Sequence, residues 1–82
     1  MKGTLAMLNL RRGMAAVLTE DGDYTPFEIL GSHEPELGDT ITGDFHSLGS
    51  ETFQNISQNE SFDVFVEDKY SSEEVAKRIV LK

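Results

Sequence analysis

Short apolar segments that alternate with turn signals run through most of this chain of 82 residues. Their spacing, about 8–12 residues, is typical of a small β-barrel or sandwich. In the clearest segment Phe62, Val64 and Val66 share one face of an extended strand. We therefore predict a mainly β fold with five or six strands. The candidate strands are residues 2–10, 14–19, 24–30, 40–45, 51–56 and 61–67.

Two local signals refine this pattern. Asp21-Gly22 lies between two candidate strands, and Asp-Gly is a strong hairpin signal because glycine takes a positive φ without strain. Pro26 lacks a backbone N–H, so we expect an edge or a bulge at that point of the third strand.

The C-terminal segment has a different pattern. Ser71 and Glu74 have the spacing of a capping box, with Ser71 as the N-cap, and two basic residues follow. This predicts a short helix over about residues 72–80. The competing interpretation makes residues 75–81 a last strand. Packing decides between them, because a helix this short is marginal alone.

The length and composition exclude several classes of protein. A chain of 82 residues forms one small domain, here residues 1–82, and leaves little core for a catalytic cavity. It contains no cysteine, which excludes a disulfide scaffold, a zinc ribbon and a thiol nucleophile. No apolar run reaches the length of a signal peptide core or a membrane span. We predict a non-catalytic, cytoplasmic protein with no membrane association.

The net charge of -8 is unevenly distributed along the chain. Residues 1–19 carry +3, residues 20–68 carry thirteen acids and no Lys or Arg, and residues 69–82 carry +2. If the two ends of the chain are neighbours, their cations form a local basic patch. In the alternative interpretation these cations form ion pairs with the acidic residues of positions 20–68.

The histidines do not form a recognisable metal motif. His33 and His46 lie in polar segments, and Asp44 is the nearest acid to His46. A metal site needs two or three convergent ligands, and the aspartates do not match the spacing of a calcium loop. We predict no metal site and no cofactor.

Residues 2–30 resemble the opening half of a cold-shock domain. The resemblance continues only loosely, at Leu37-Gly38-Asp39 and Ser61-Phe62-Asp63-Val64. It implies a small five-stranded OB-fold barrel that binds single-stranded nucleic acid. The residues in the expected register are Asn9, Arg12, Gly13, Val17, Asp21, Gly22 and Phe27.

The chain departs from the cold-shock pattern at the aromatic residues that stack on bases. Each stacked base contributes about 1–3 kcal/mol. Only Phe27 remains, and aliphatic residues or alanine occupy the other places. Such an apolar face more often marks a protein contact or a surface covered by another element, such as the C-terminal helix.

Two hypotheses follow for the function. In the first, the module binds single-stranded RNA or DNA weakly: Arg11 and Arg12 hold phosphate, and Tyr24 and Phe27 stack on bases. The candidate nucleic-acid residues are Lys2, Asn9, Arg11, Arg12, Tyr24 and Phe27. In the alternative, the barrel is a protein-interaction or structural module that uses its apolar strand face. The candidate contact residues are Met7, Leu8, Met14, Ala16, Ile29 and Leu30.

Overall fold

The computed structural model describes residues 1–82 and contains six strands and one helix. The strands close into an antiparallel barrel in the order β1-β2-β3-β6-β5-β4, and β4 pairs with β1. The prediction of a small OB-fold-type barrel with a short C-terminal helix is confirmed. The elements are β1 (Lys2–Asn9), β2 (Met14–Thr19), β3 (Tyr24–Ile29), β4 (Thr40–Thr42), β5 (Gly49–Asn55), β6 (Glu60–Val66) and α1 (Glu73–Val80).

The interior of the barrel is filled by aromatic and branched side chains. Phe27 and Phe45 both meet Phe53 edge to face, with ring centroids 5.2 Å and 5.1 Å apart. The close packing explains Gly3, where a Cβ would overlap both the Val17 side chain and the backbone of β2. The barrel interior is therefore filled by its own side chains.

Helix α1 packs on the outer face of β1, β2 and β3. Ala76 and Val80 of the helix form a second buried cluster with Met7, Met14 and Ala16. Strand β2 is consequently buried on both faces over Met14–Val17. The helix thus closes one side of the barrel to solvent.

The ends of the chain elements differ in detail from those predicted. The N-cap is Ser72, whose side chain accepts a hydrogen bond from the Val75 N–H at 3.2 Å. The prediction of Ser71 as the cap was wrong, because Ser71 exchanges two backbone hydrogen bonds with Tyr24 and donates its hydroxyl to Asp68. The alternative of a strand over residues 75–81 was also wrong.

Strand β4 ends at Thr42, earlier than the predicted 40–45, yet Phe45 in the following loop is fully buried. Strand β5 begins at Gly49, which pairs with Val66 of β6 instead of forming a turn. Its φ of 88° suits only glycine.

Strand β3 pairs with both β2 and β6, and no bulge interrupts its register with β2 at Pro26, but Pro26 lies at the edge of the β3–β6 ladder, as one of the two expected alternatives had it. The β3–β6 ladder begins at Phe27, one residue later, and the Pro26 carbonyl accepts a hydrogen bond from the Glu67 N–H at 3.0 Å. The missing N–H of the proline thus falls beyond the end of that ladder.

The helix of this structure is neither long nor apolar enough to cross a membrane.

Candidate functional site

Two of the predicted nucleic-acid residues, Asn9 and Arg12, bind the C-terminal end of α1. The Asn9 amide donates to the Val80 carbonyl at 3.0 Å, and Arg12 Nη1 donates to the carbonyls of Ile79 and Lys82, each at 3.0 Å. The last carbonyls of a helix lack partners inside the helix, and a cation there also favours the helix dipole. These residues therefore anchor α1.

Neither of the two aromatic candidates presents a free ring to solvent. Phe27 is 0% exposed and points into the barrel, so the prediction that it stacks on bases was wrong in this fold. Tyr24 packs partly buried against α1, and its hydroxyl donates to Glu73 at 3.5 Å. Burial, together with the charge of Glu73, raises the pKa of Tyr24.

Lys2 and Arg11 are the predicted cations that remain exposed without a hydrogen-bond or ion-pair partner. The contact from Arg12 to the Lys82 carbonyl brings the β1–β2 turn next to the C-terminal residues, whereas Lys2 lies at the opposite end of β1. A small basic patch therefore lies beside the β1–β2 turn and the end of α1.

The six residues predicted to form an apolar contact face do not share an exposed surface. Met7, Met14 and Ala16 lie beneath α1, while Ile29 belongs to the barrel core. Leu8 is partly buried against the same core, and only Leu30, 51% exposed, is open to solvent. The prediction of an exposed strip was wrong, because α1 covers three of the six side chains and two others pack into the barrel core.

The open side of the molecule carries a groove of about 650 Å³ between the β3–β4 loop and β6. A smaller recess lined by Leu10 and Gly13 shares residues 31–34 with it and extends it to the β1–β2 turn. The groove is lined by Leu30, Gly31, Ser32, His33, Glu34, Gln58, Glu60, Ser61, Phe62 and Asp63.

His33 forms one wall of the groove and is held on several sides. Its side chain is 6% exposed, and its ring stacks on Phe62 with centroids 4.5 Å apart. The Asn55 amide donates to Nε2 at 3.2 Å, which leaves Nδ1 to carry the proton of the neutral ring. Nδ1 in turn lies 3.8 Å from the Glu60 carboxylate.

A buried carboxylate, Asp39, fixes the groove from behind. It accepts hydrogen bonds from the side chains of Asn55 and Gln58, each at 2.8 Å, and from the Glu36 N–H at 2.9 Å. Burial by itself raises the pKa of Asp39, but these hydrogen bonds outweigh it and lower the pKa below its ordinary value. The ionised carboxylate thus orders Asn55 and, through it, His33.

Sequence reasoning missed this network because its members are far apart in the chain. Asp39 precedes β4, whereas Asn55 is the last residue of β5, so both strands and the loop between them lie between the two residues in the chain. The only sequence signal at either residue is the loose match to the cold-shock pattern at Leu37-Gly38-Asp39.

No protein-family model, curated protein or solved structure matches this sequence.

Proposed function

We propose that this protein is a non-catalytic binding module of OB-fold type whose groove receives a cationic segment of a protein partner. One observation carries the proposal. The ten residues lining the groove include three carboxylates, Glu34, Glu60 and Asp63, and no lysine or arginine. A groove with a single sign of charge attracts and orients ligands of the opposite sign.

The rest of the groove suits lysine and arginine side chains as well. Leu30 supplies an exposed apolar surface along which their methylene stems can pack. Ser32 and Ser61 add hydroxyl groups that accept hydrogen bonds. The field extends beyond the groove, because residues 20–68 contain thirteen acids and no lysine or arginine.

The same features disfavour phosphate at this position, since three carboxylates repel the backbone of a nucleic acid. Arg12 is already bound to helix carbonyls, and Phe27 is enclosed in the barrel. Single-stranded nucleic acid at the basic patch is the competing hypothesis, and it predicts weak binding that falls steeply with salt.

The proposal of a non-catalytic role rests on the state of the groove's only histidine. Both ring nitrogens of His33 already face protein groups, Asn55 and Glu60. A general base needs a nitrogen free to reach its substrate.

The test is a fluorescence anisotropy titration at low salt with three labelled probes. These are a peptide rich in Lys and Arg, a peptide of equal length rich in Glu, and a single-stranded oligonucleotide. We expect only the basic peptide to bind. The double variant Glu34→Gln/Glu60→Gln should weaken it about fivefold or more, since each exposed pair contributes up to about 1 kcal/mol.

The matched control is Glu20→Gln/Glu67→Gln, which removes the same charge at positions outside the groove. It should change the affinity less than the groove variant does. Equal weakening by both variants would show binding to the overall charge and would contradict the groove assignment. Binding of the oligonucleotide alone would replace this proposal with the nucleic-acid hypothesis.

A further inference from the structure

We propose that the β2–β3 turn and the loop after β4 together form a binding site for a divalent transition-metal ion. One carboxylate oxygen of Asp21, one of Asp23 and one ring nitrogen of His46 all lie within 4.8 Å of one another. Asp21 and Asp23 flank the glycine of the hairpin, whereas His46 comes from a separate loop. The site is independent of the groove proposed above.

The imidazole of His46 has an unused ligand atom. Its Nε2 is buried and has no hydrogen-bond partner. An orphaned buried polar atom costs about 1–3 kcal/mol, and such atoms are rare in folded proteins. A metal ion, which neutral imidazole binds through a ring nitrogen, would satisfy it.

The position of the ring is fixed by contacts on other sides. The ring stacks on Tyr70 with centroids 4.2 Å apart, and the backbone N–H of His46 donates to Asp44 Oδ1 at 3.0 Å, which fixes the chain beside the ring. Tyr70 has a φ of 53°, which is uncommon for a bulky residue and occurs where surrounding structure enforces it. The residue before His46, Phe45, is buried, and its backbone carbonyl accepts a hydrogen bond from Thr25 Oγ1 at 3.1 Å.

The acidic half of the site is ordered as well. Thr19 Oγ1 donates to Asp23 Oδ1 at 2.7 Å and accepts from the Asp21 N–H at 3.2 Å. In metal sites of proteins the ligating carboxylates usually accept hydrogen bonds from neighbouring residues, as Asp23 does from Thr19. Asp23 keeps one oxygen, Oδ2, outside this bond.

The donor set selects the kind of ion. One imidazole nitrogen and two carboxylate oxygens suit Zn²⁺, Mn²⁺, Co²⁺ or Ni²⁺, while Ca²⁺ takes oxygen ligands only. Zinc ligands lie about 2.0–2.2 Å from the ion, so the three atoms must approach one another by roughly 1 Å on binding. Asp21, which is exposed, has the freedom to make that movement.

The ligand set explains why the sequence predicted no metal site. Sequence proximity pairs His46 with Asp44, but the Asp44 carboxylate accepts a hydrogen bond from the backbone N–H of His46 and not from its ring. The partners of His46 are more than twenty positions away, and only the closure of the barrel brings them together.

The test is isothermal titration of the metal-free, full-length protein with ZnCl₂, repeated with MnCl₂, with thermal unfolding measured in parallel. We expect one Zn²⁺ per chain and a midpoint that rises with metal, because the ion binds only the folded state. Asp21→Asn and His46→Ala should each weaken binding about tenfold or more. Asp21→Asn changes an exposed side chain and will not unfold the protein.

Two controls separate this site from general attraction to acids. Glu20→Gln, which removes an acid from the same turn, should leave the affinity unchanged. In proton NMR the ring signals of His46 should respond to Zn²⁺ before those of His33. The proposal is overturned if the wild type binds no more tightly than Asp21→Asn, or if Glu20→Gln weakens binding as much.

Discussion

The two sides of this barrel are built on the same strand, β3, and have opposite relations to solvent. On one side β3 joins β1 and β2 beneath α1, where Met14 and Ala16 point outward and are buried. On the other side it joins β6 and β5, where Glu28, Phe65 and Ser50 form an exposed cross-strand row. Whether an outer face of the barrel is exposed to solvent therefore depends on the elements packed on it as much as on its own residues.

Asn9 and Arg12, two residues of the segment whose sequence resembles a cold-shock domain, have a structural role on the covered side. Asn9 and Arg12 bind carbonyls at the end of α1, in the part of the fold where the resemblance implies a ligand. The groove with three carboxylates and no lysine or arginine lies on the side that α1 leaves open. Four predictions test this division of the molecule.

The largest effect is expected for Phe27→Ala, compared with Phe65→Ala. Phe27 is 0% exposed, so its removal should lower the free energy of unfolding by about 3–5 kcal/mol. Phe65 is 42% exposed, and its removal should change that free energy by about 0.5 kcal/mol or less. Urea unfolding of both variants checks the pair. A small effect of Phe27→Ala would restore it as a candidate stacking residue.

The second pair comes from the predicted contact face. Met14→Ala should destabilise the fold by about 2–4 kcal/mol, because Met14 is enclosed between β2 and α1. Leu30→Ala should cost about 0.5 kcal/mol or less, since half of that side chain is in solvent. Similar costs for the two variants, again from urea unfolding, would mean that α1 does not cover β2 in solution.

The third prediction concerns the open side and its dependence on pH. The pKa of Asp39 is lowered in the folded state, so its contribution to stability is present above about 3.8 and is lost as pH falls through the folded pKa. Asp39→Asn should cost about 1–3 kcal/mol at pH 7.

Urea unfolding of the wild type and of Asp39→Asn at a series of pH values checks that the contribution of Asp39 to stability is lost on acidification. The difference between them should shrink toward zero on acidification below pH 4. A difference that stays constant with pH would show that the charge of Asp39 contributes nothing.

The smallest effect is expected at the two neighbouring arginines. Arg12→Ala removes the cation that binds the helix carbonyls and should cost about 1 kcal/mol, with a loss of helical circular dichroism. Arg11→Ala is the control, because Arg11 has no partner, and it should fall within about 0.5 kcal/mol of the wild type. Equal effects of the two substitutions would contradict the anchoring role of Arg12.

The strands and the helix could be predicted because their signals are local. Alternation of Phe62, Val64 and Val66 marks β6, and Asp21-Gly22 marks the β2–β3 turn. The predicted strand boundaries were less accurate at glycine, which occurs both in turns and at positive-φ positions within strands. Gly49 has the composition of a turn and yet begins β5, since its pairing with Val66 is a long-range contact.

The surfaces could not be predicted, because they depend on contacts between distant segments. Ala16 and Leu30 both belong to the predicted contact face, but the helix, which begins 57 residues after Ala16, buries only the first. In the same way, the groove network joins His33 to Asn55, and the candidate metal site joins Asp23 to His46. No local pattern records these pairings.

The most direct test of the division between a covered and an open side is an NMR titration of the ¹⁵N-labelled protein with the basic peptide. We predict shifts at the amides of residues 31–34 and 58–63, with those of Asn9, Arg12 and α1 unchanged. Shifts confined to Asn9, Arg12 and α1 would contradict the account, since they would place the ligand on the side that the helix covers.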